Sequence, residues 1–552
     1  MKTKLLFIVF LFFYIAIITK LFFLQVFAPI RVNKDLYLKT QQLIPERGKI
    51  FDINRTPLVL NQNSYLLFLE PKKINDKLKL TKFLSEKLEW EEASLSAKID
   101  EKKEWISLIG GIDEDKKKEI ESLKLAGVGF NRESKRFYPE ASLSAHLLGF
   151  VGKDKDGGNI GYFGLEGFYD KDLGGLPGLL DSERDMVGRP IFSGIQNKVD
   201  AEDGRDLILT IDKTVQEISK KRLLAGLERY QAKQGCVITA NPETMAIISL
   251  VCLPDYDVDN YFQFSEQFFK NSAVSDVYEP GSIFKPLIVA AALEEKKIKP
   301  QDTYNEEGPI QIGEYQIKTW NDKYEGKISI TRILEKSSNV GMVYIGDKLG
   351  KSKIYEYLKK YGFGELTGID LQGENTAYLK TKENWYPIDY STVTFGQGIA
   401  LTPIQMIRSF ASIINGGKLM KPYLVDTIVN NDRQTKIKPK LDKKVVSEQT
   451  SAIIRKMLVS TVENAEAKWD RPKEYSIGGK TGTAQIAISG HYDPSLTNAS
   501  FIGFAPADKP KFITLVILKE PKTSPWGSET AAPIFFEIAK DLIVYYGITP
   551  EQ

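Results

Sequence analysis

Two residues in the stretch VYEPGSIFKPLIVAAALEE (277–295) carry side chains that could do chemistry together, Ser282 and Lys285. Positions i and i+3 share one face of a helix, so hydroxyl and amine can lie side by side. A serine hydroxyl is a weak nucleophile until a neighbouring base takes its proton. A lysine can be that base once neutral, and both burial and nearby positive charge disfavour its ammonium form. Phe284, Pro286, Leu287 and Ile288 supply apolar surroundings, while Pro280 and Gly281 suit a sharp entry into the helix. Taken alone the pair proves little, because serine is a common N-cap residue and Ser-x-x-Lys arises easily by chance. Two further groups raise its weight. Ser337-Ser338-Asn339 lies in EKSSNVGMVYIG at a turn or helix boundary, and Lys480-Thr481-Gly482-Thr483 lies in the β-prone segment YSIGGKTGTAQIA. Each has a plain structural reading by itself, as turn residues, an exposed strand lysine and a bulge glycine.

Those residues need elements to hold them. From residue 206 the chain reads as a strand (DLILTID), an amphipathic helix (KTVQEISKKRLLAGLERYQ) and two β-rich runs around an Asn-Pro-Glu-Thr turn (GCVITANPETMAIISLVC). Helical stretches follow at 282–296, 329–349, 351–361, 402–415 and 449–465. FIGFAPADKPKFITLVILKE returns to a hairpin pattern turning at Ala-Asp-Lys-Pro, and a last amphipathic helix covers 530–545. Strands at both ends with helices between them predict an α+β fold, an antiparallel sheet of distant segments covered by helices. Upstream, residues 29–71 read as an extended linker with short strands. Residues 72–125 are Lys/Glu-rich with helical spacing, and Leu78, Leu80, Phe83, Leu84 and Leu88 mark one apolar face. The glycine-dense stretch 149–180 reads as turns rather than regular elements.

At 552 residues the chain is too long for one ordinary domain, and two or three soluble units are expected. Lys+Arg 75 against Asp+Glu 72 leaves a net charge of +3, which excludes a nucleic-acid binder relying on phosphate neutralisation. Cys236 and Cys252 cannot build a disulfide framework; one bridge or two buried thiols both remain open. With His146 and His491 as the only histidines and no Cys-x-x-Cys, no metal site is expected. The N-terminus differs from the rest. LLFIVFLFFYIAIIT (5–19) resumes after Lys20 as LFFLQVFA, together about the length of roughly 20 residues that crosses a bilayer. QVFAPIR is a poor cleavage site, so an uncleaved anchor is expected. Lys2 and Lys4 on one side face Lys20, Arg31 and Lys34 on the other, so charge leaves the orientation open.

Ser-x-x-Lys, Ser-x-Asn and Lys-Thr-Gly, in that order, resemble the motif set of penicillin-binding proteins and serine β-lactamases. Nearly the whole chain resembles a class B penicillin-binding protein, a peptidoglycan D,D-transpeptidase with a single membrane anchor. PERGKIFDINRTPLVLN (45–61) resembles that family's opening signature, KRFYPEASLSAHLLGFVG and GYFGLEGFYDKDLGGLPG its pedestal, and TIDKTVQ the start of its transpeptidase domain. ETAAPIFFEIAKDLI is also family-like, and VTFGQGIALTPIQM (393–406) is nearer the division and sporulation types than the elongation type. Two positions depart: Arg55 and Met245 stand where glycine is common, which puts the local turns in question.

The resemblance implies an anchor with a short cytoplasmic N-terminus over 1–28, an elongated α+β pedestal over 29–205 and a β-lactamase-like transpeptidase domain over 206–552. It implies that Ser282 attacks the carbonyl between two terminal D-alanines, that Lys285 takes its proton, that Ser337 relays a proton to the leaving D-alanine and that Asn339 holds the substrate amide. Lys480 would keep positive charge near Lys285 and, with Thr481 and Thr483, bind the terminal carboxylate. The N–H groups of Ser282 and Thr483 would form the oxyanion hole, and Gly482 would let substrate lie against the strand. β-Lactams should acylate the same serine. No cofactor is implied; the implied partners are stem peptides, a membrane-embedded glycosyltransferase and the division or elongation machinery, with the catalytic domain on the periplasmic or extracellular side. His491 reads as a loop residue on the cleft rim, no role falls to Glu279 or Asp322, and no deacylating glutamate is evident. The competing readings are a D,D-carboxypeptidase or β-lactamase, and a non-catalytic β-lactam-binding scaffold or sensor.

Overall fold

Apolar side chains with nothing to bury against mark the start of the chain. In the computed structural model, which describes residues 2–26, 38–139, 143–155, 157–183, 191, 196–465, 467, 469–488 and 491–550, helix α1 spans Lys2–Val26. Among the described residues its stretch Thr3–Val26, 24 residues long, is the one helix long and apolar enough to cross a bilayer, and it is exposed throughout. Contacts divide the chain into two units, residues 1–46 with 175–203 and residues 47–174 with 204–552. Besides α1, the first unit holds an antiparallel sheet of Leu38–Leu43, Gly178–Glu183 and Gln196–Val199, with Gly178–Glu183 in the middle.

In the second unit a long strand, Pro57–Leu69, pairs with Ile50–Phe51, Ile106–Ile112 and Val128–Phe137 along its length. Asp206–Leu209 joins that sheet, pairing with Ile50–Phe51 on one side and Val425–Asn430 on the other. Pairing therefore runs without a break across residue 206. The Lys/Glu-rich stretch does form helices at Lys77–Leu88, Glu92–Lys98 and Glu114–Glu121, but Ile106–Ile112 between them is a strand. Leu80, Leu84 and Leu88 are buried as expected, whereas Leu78 is 84% exposed and lies off the apolar face. The glycine-dense stretch is more regular than its composition indicates, with strands Phe150–Lys153, Asn159–Tyr162 and Gly178–Glu183 and one-turn helices Gly164–Phe168 and Asp170–Gly174. Glu166 is fully buried there between two guanidinium groups, accepting from Arg47 Nε at 2.7 Å and Arg136 Nη2 at 2.6 Å. A buried carboxylate demands such pairing, and this one ties together the three stretches that carry Arg47, Arg136 and Glu166.

The rest of the unit is built around one antiparallel sheet. Helix α2 (Lys213–Tyr230) is capped by Asp212, whose carboxylate accepts from Thr214 N and Val215 N. Strands β1 (Gln234–Ala240) and β2 (Ile247–Leu253) form the expected hairpin. They set Cys236 opposite Cys252, and the two are joined as a disulfide rather than left as free thiols. Helix α3 (Lys285–Glu294) is buried from Lys285 to Leu293. Strands β3 (Thr303–Glu306) and β4 (Gly326–Ser329) pair, followed by helices α4 (Ile330–Glu335) and α5 (Asn339–Leu349). Helix α6 (Pro403–Ile414) is buried at every position, and α7 (Glu448–Glu463) leads to strands β5 (Gly478–Ile488), β6 (His491–Ala505) and β7 (Phe512–Lys519) and helix α8 (Ala531–Tyr545). The strand order is β2-β1-β7-β6-β5. Alternate residues serve two cores, because successive strand side chains point to opposite faces. Val237, Phe501 and Val516 pack with α2 and α8, while Ile238, Ile502 and Leu515 pack with α3 and α6.

Arg55 and Met245 keep the turns that glycine would favour, at φ 63° and 57°. Around Arg55, Asp52 Oδ1 accepts from Asn54 N at 2.9 Å and Thr56 N at 2.7 Å, which closes the turn whatever residue follows. Met245 is wholly buried, so core packing offsets its conformation. Arg55 is exposed and has no such offset. Left-handed geometry costs a side chain about 1–2 kcal/mol, partly balanced by the greater unfolded freedom of glycine. Arg55→Gly should therefore stabilise the full chain by about 0.5–1 kcal/mol, read as a higher denaturation midpoint; an unchanged or lower midpoint contradicts this.

Candidate active site

Three segments far apart in sequence meet in one cleft. The first enters through Gly281, which takes φ 59° and donates its N–H to Gly396 O at 3.0 Å. A 3₁₀ turn, Gly281–Phe284, precedes α3, so Ser282 stands just outside the α-helix and Lys285 opens it. In a 3₁₀ turn residues three apart eclipse, which keeps hydroxyl and amine on one side. Ser282 is half-buried at the cleft, and Lys285 is 0% exposed.

The second segment is the break between α4 and α5, where one expected helix, 329–349, splits into two. Ser337 takes φ 58°, and Ser338 caps α5 by accepting from Gly341 N at 2.9 Å. Lys285 Nζ donates to Ser337 O at 2.6 Å and to Asn339 Oδ1 at 2.8 Å, and Ser337 Oγ lies 3.2 Å from it. Asn339 is oriented in turn by its Nδ2, which donates to Lys318 O at 3.0 Å. The third segment is β5, which brings Lys480 Nζ to Ser337 Oγ at 3.0 Å and to Thr481 Oγ1 at 3.3 Å. The Ser337 hydroxyl thus lies between two buried amines.

Burial is the largest influence on both. It holds the Lys285 amine well below the ordinary lysine range, with the charge of Lys480 adding in the same direction and Glu306 opposing. Both influences expected from the sequence act here, and Lys480 ranks second because removing water from an ammonium outweighs a neighbouring charge. Lys480 is itself lowered by burial to about 7. One hydrogen-bond arrangement suits a charged Lys480 beside a neutral Lys285. Lys480 donates to Ser337 Oγ, and the serine hydrogen, free to rotate, turns towards the lone pair on Lys285.

A cleft of about 350 Å³ opens over these groups, lined by Ser282, Ser337, Asn339, Lys480, Thr481 and Thr483. Thr483 Oγ1 accepts from Gly527 N at 3.0 Å, which leaves its own hydrogen available to a ligand. Gly482 has a packing role. A Cβ there would meet Ser500 Oγ, Ile283 Cγ2 at 2.9 Å and Pro280 O at 3.0 Å, so the missing side chain lets β5 close against the turn that carries Ser282. His491 opens strand β6 opposite Ile488 and is not in a loop. The sequence reading missed the aromatic lining of the cleft, Trp320, Phe395, Trp469, Phe501 and Trp526, which follows no spacing rule. Trp320 and Trp526 meet with ring centroids 5.2 Å apart.

The chain matches the penicillin-binding protein transpeptidase domain over residues 235–540 and the penicillin-binding protein dimerisation domain over residues 42–209. It is 34% identical over 528 residues to stage V sporulation protein D of Bacillus subtilis, covering 94% of this chain and 81% of that protein. The chain belongs to the penicillin-binding transpeptidase family. It is also similar to the peptidoglycan D,D-transpeptidase FtsI of Escherichia coli, 28% identical over 96% of this chain and 89% of that one. Among solved structures, a peptidoglycan synthetase from Bifidobacterium adolescentis superposes with a TM-score of 0.75 at 26% identity, covering 93% of this chain and 98% of that one. Penicillin-binding protein 2X of Streptococcus thermophilus shares the fold, with a TM-score of 0.75 at 23% identity over 92% of this chain and 80% of that one.

A charged Lys480 can hold the carboxylate that penicillins carry, and that charge is lost as pH rises through about 7. Acylation of the full chain by penicillin should accordingly fall on the alkaline side of neutrality. In Lys480→Arg the guanidinium stays charged, so the alkaline fall should vanish from the rate–pH profile even if the plateau drops. An identical fall in both chains contradicts the assignment.

Proposed function

We propose that this chain is a membrane-anchored peptidoglycan D,D-transpeptidase working through a serine acyl-enzyme. The observation that carries the reading is the buried amine of Lys285, one 3₁₀ turn from Ser282 and hydrogen-bonded to Ser337 and Asn339. Membership of the penicillin-binding transpeptidase family supports the substrate class, and helix α1 supports the anchor.

Ser282 Oγ attacks the carbonyl carbon between the two terminal D-alanines while its proton passes to neutral Lys285. Lys480, Thr481 and Thr483 hold the terminal carboxylate, and Asn339 holds an amide of the stem peptide. The N–H groups of Ser282 and Thr483 receive the developing oxyanion; losing one such donor typically costs about 2.7–4 kcal/mol of transition-state stabilisation. The C–N bond then breaks, and the departing D-alanine amine takes a proton from Lys285 by way of Ser337. The amine of a second stem peptide attacks the Ser282 ester and gives a proton to Lys285. Ser282 Oγ recovers its hydrogen, and a new amide cross-links the two peptides. Penicillin follows the first half of this path and stays attached.

The catalytic unit works on the outer side of the cytoplasmic membrane, where the wall is built. The similarity to a sporulation protein and to FtsI supports a place in septal or sporulation wall synthesis beside a membrane-embedded glycosyltransferase. The detergent-solubilised full chain, incubated with fluorescent penicillin, should carry one stable label on Ser282, and Ser282→Ala should carry none while keeping its melting profile. Absence of label on the wild-type chain, or rapid release of label by hydrolysis, contradicts the reading.

A further inference from the structure

The turn that presents Ser337 must be held, because its φ of 58° is one that side chains disfavour. Both neighbours of Ser337 are fastened to a single buried carboxylate. Glu306, at the end of β3 and 1% exposed, accepts from Lys336 Nζ at 2.7 Å on one oxygen and takes a short hydrogen bond from Ser338 Oγ on the other. The Glu325 N–H adds a bond at 3.2 Å, and Lys336 Nζ also donates to Lys323 O at 3.2 Å. Lys336 is 4% exposed and Ser338 0%. Stripping water from an ion pair cancels most of its attraction, so such a pair is poor evidence for stability and asks for another reason.

We propose that Glu306, Lys336 and Ser338 are positioning residues for acylation: the carboxylate grips the residues on both sides of Ser337, holding its hydroxyl and carbonyl on Lys285, while Lys336 pairs with the buried negative charge that the grip requires. This rests on the transpeptidase reading. Glu306 is the carboxylate whose field reaches Lys285 and favours its ammonium form, against burial and Lys480. The other charged groups around the pair are themselves matched. Glu325 lies 3.7 Å from Lys336 Nζ and is bound by Arg332 at 2.9 Å, and Glu335 is held by Arg332 and by Ser460. Tyr304 shares β3 with Glu306, and Lys480 faces Lys285 from β5.

The test is the rate of penicillin acylation of the full chain against pH, for wild type, Glu306→Gln, Lys336→Met and the double variant. Lys336→Met leaves the carboxylate unpaired, so the acid limb of the profile should move about one unit to higher pH, a tenfold loss at a pH on that limb. Glu306→Gln leaves the ammonium unpaired, so the limb should move to lower pH. The double variant should return the limb to the wild-type position, with a plateau at least about tenfold lower because the turn is no longer gripped. Loosening alone lowers the plateau without moving the limb, so shifts of opposite sign separate charge from structure. Limbs that coincide, or that move the same way in both single variants, overturn the proposal. Should Lys336→Met fail to fold, Glu306→Gln decides alone: a lower limb supports and an unmoved limb overturns. A wild-type chain that is not acylated contradicts the transpeptidase reading itself, which is a separate result.

Discussion

The site depends on an amine kept away from water. Lys285 sits at the start of a helix whose residues 285–293 are all buried, and its amine nitrogen lies within hydrogen-bonding distance of Ser337 O, Ser337 Oγ and Asn339 Oδ1. An ammonium there loses its hydration, while a neutral amine loses little, so burial favours the unprotonated form that a base requires. Everything else in the cleft follows from that asymmetry. The fold has to supply the apolar surroundings, the acceptors that orient the amine, and a second cation near enough to matter but itself destabilised by burial.

The five-stranded sheet does the positioning. Both its faces are covered, so its strands have little freedom, and β5 carries Lys480 into contact with a serine 143 positions away in sequence. Gly482 allows β5 to press on the turn that carries Ser282, and Gly281 and Gly396 set the entry of that turn. Beyond the cleft, the sheet that holds Pro57–Leu69 pairs directly with Asp206–Leu209. The N-terminal half of the second unit is therefore hydrogen-bonded into the catalytic half, and Glu166 with its two arginines locks its strands and short helices together.

Much of the site was legible in the sequence because its chemistry needs specific types at specific spacings: Ser282 and Lys285 three apart, Ser337 and Asn339 at a helix boundary, and Lys480 on a strand. The hairpins at Asn-Pro-Glu-Thr and Ala-Asp-Lys-Pro were legible for the same reason, since turn chemistry is local. Features made by distant contacts were not. Glu306 and Lys336 look in sequence like any solvated charges, and only the three-dimensional contact buries them. Leu78 has helical spacing yet faces water, and the glycine-dense stretch hides a short strand pair within it and a third strand, Gly178–Glu183, whose partners lie outside it. The packing role of Gly482 and the joining of Cys236 to Cys252 likewise depend on strand register, which composition does not encode.

The central claim is that burial holds the Lys285 amine well below the ordinary lysine range, so that it can act as a base. The acid limb of the penicillin acylation rate in the wild-type full chain reads its protonation most directly. The limb should lie well below the pH at which an ordinary lysine titrates, so that the rate has stopped rising before that range is reached. A rate still climbing through about pH 10, where an ordinary lysine loses its proton, would contradict the account.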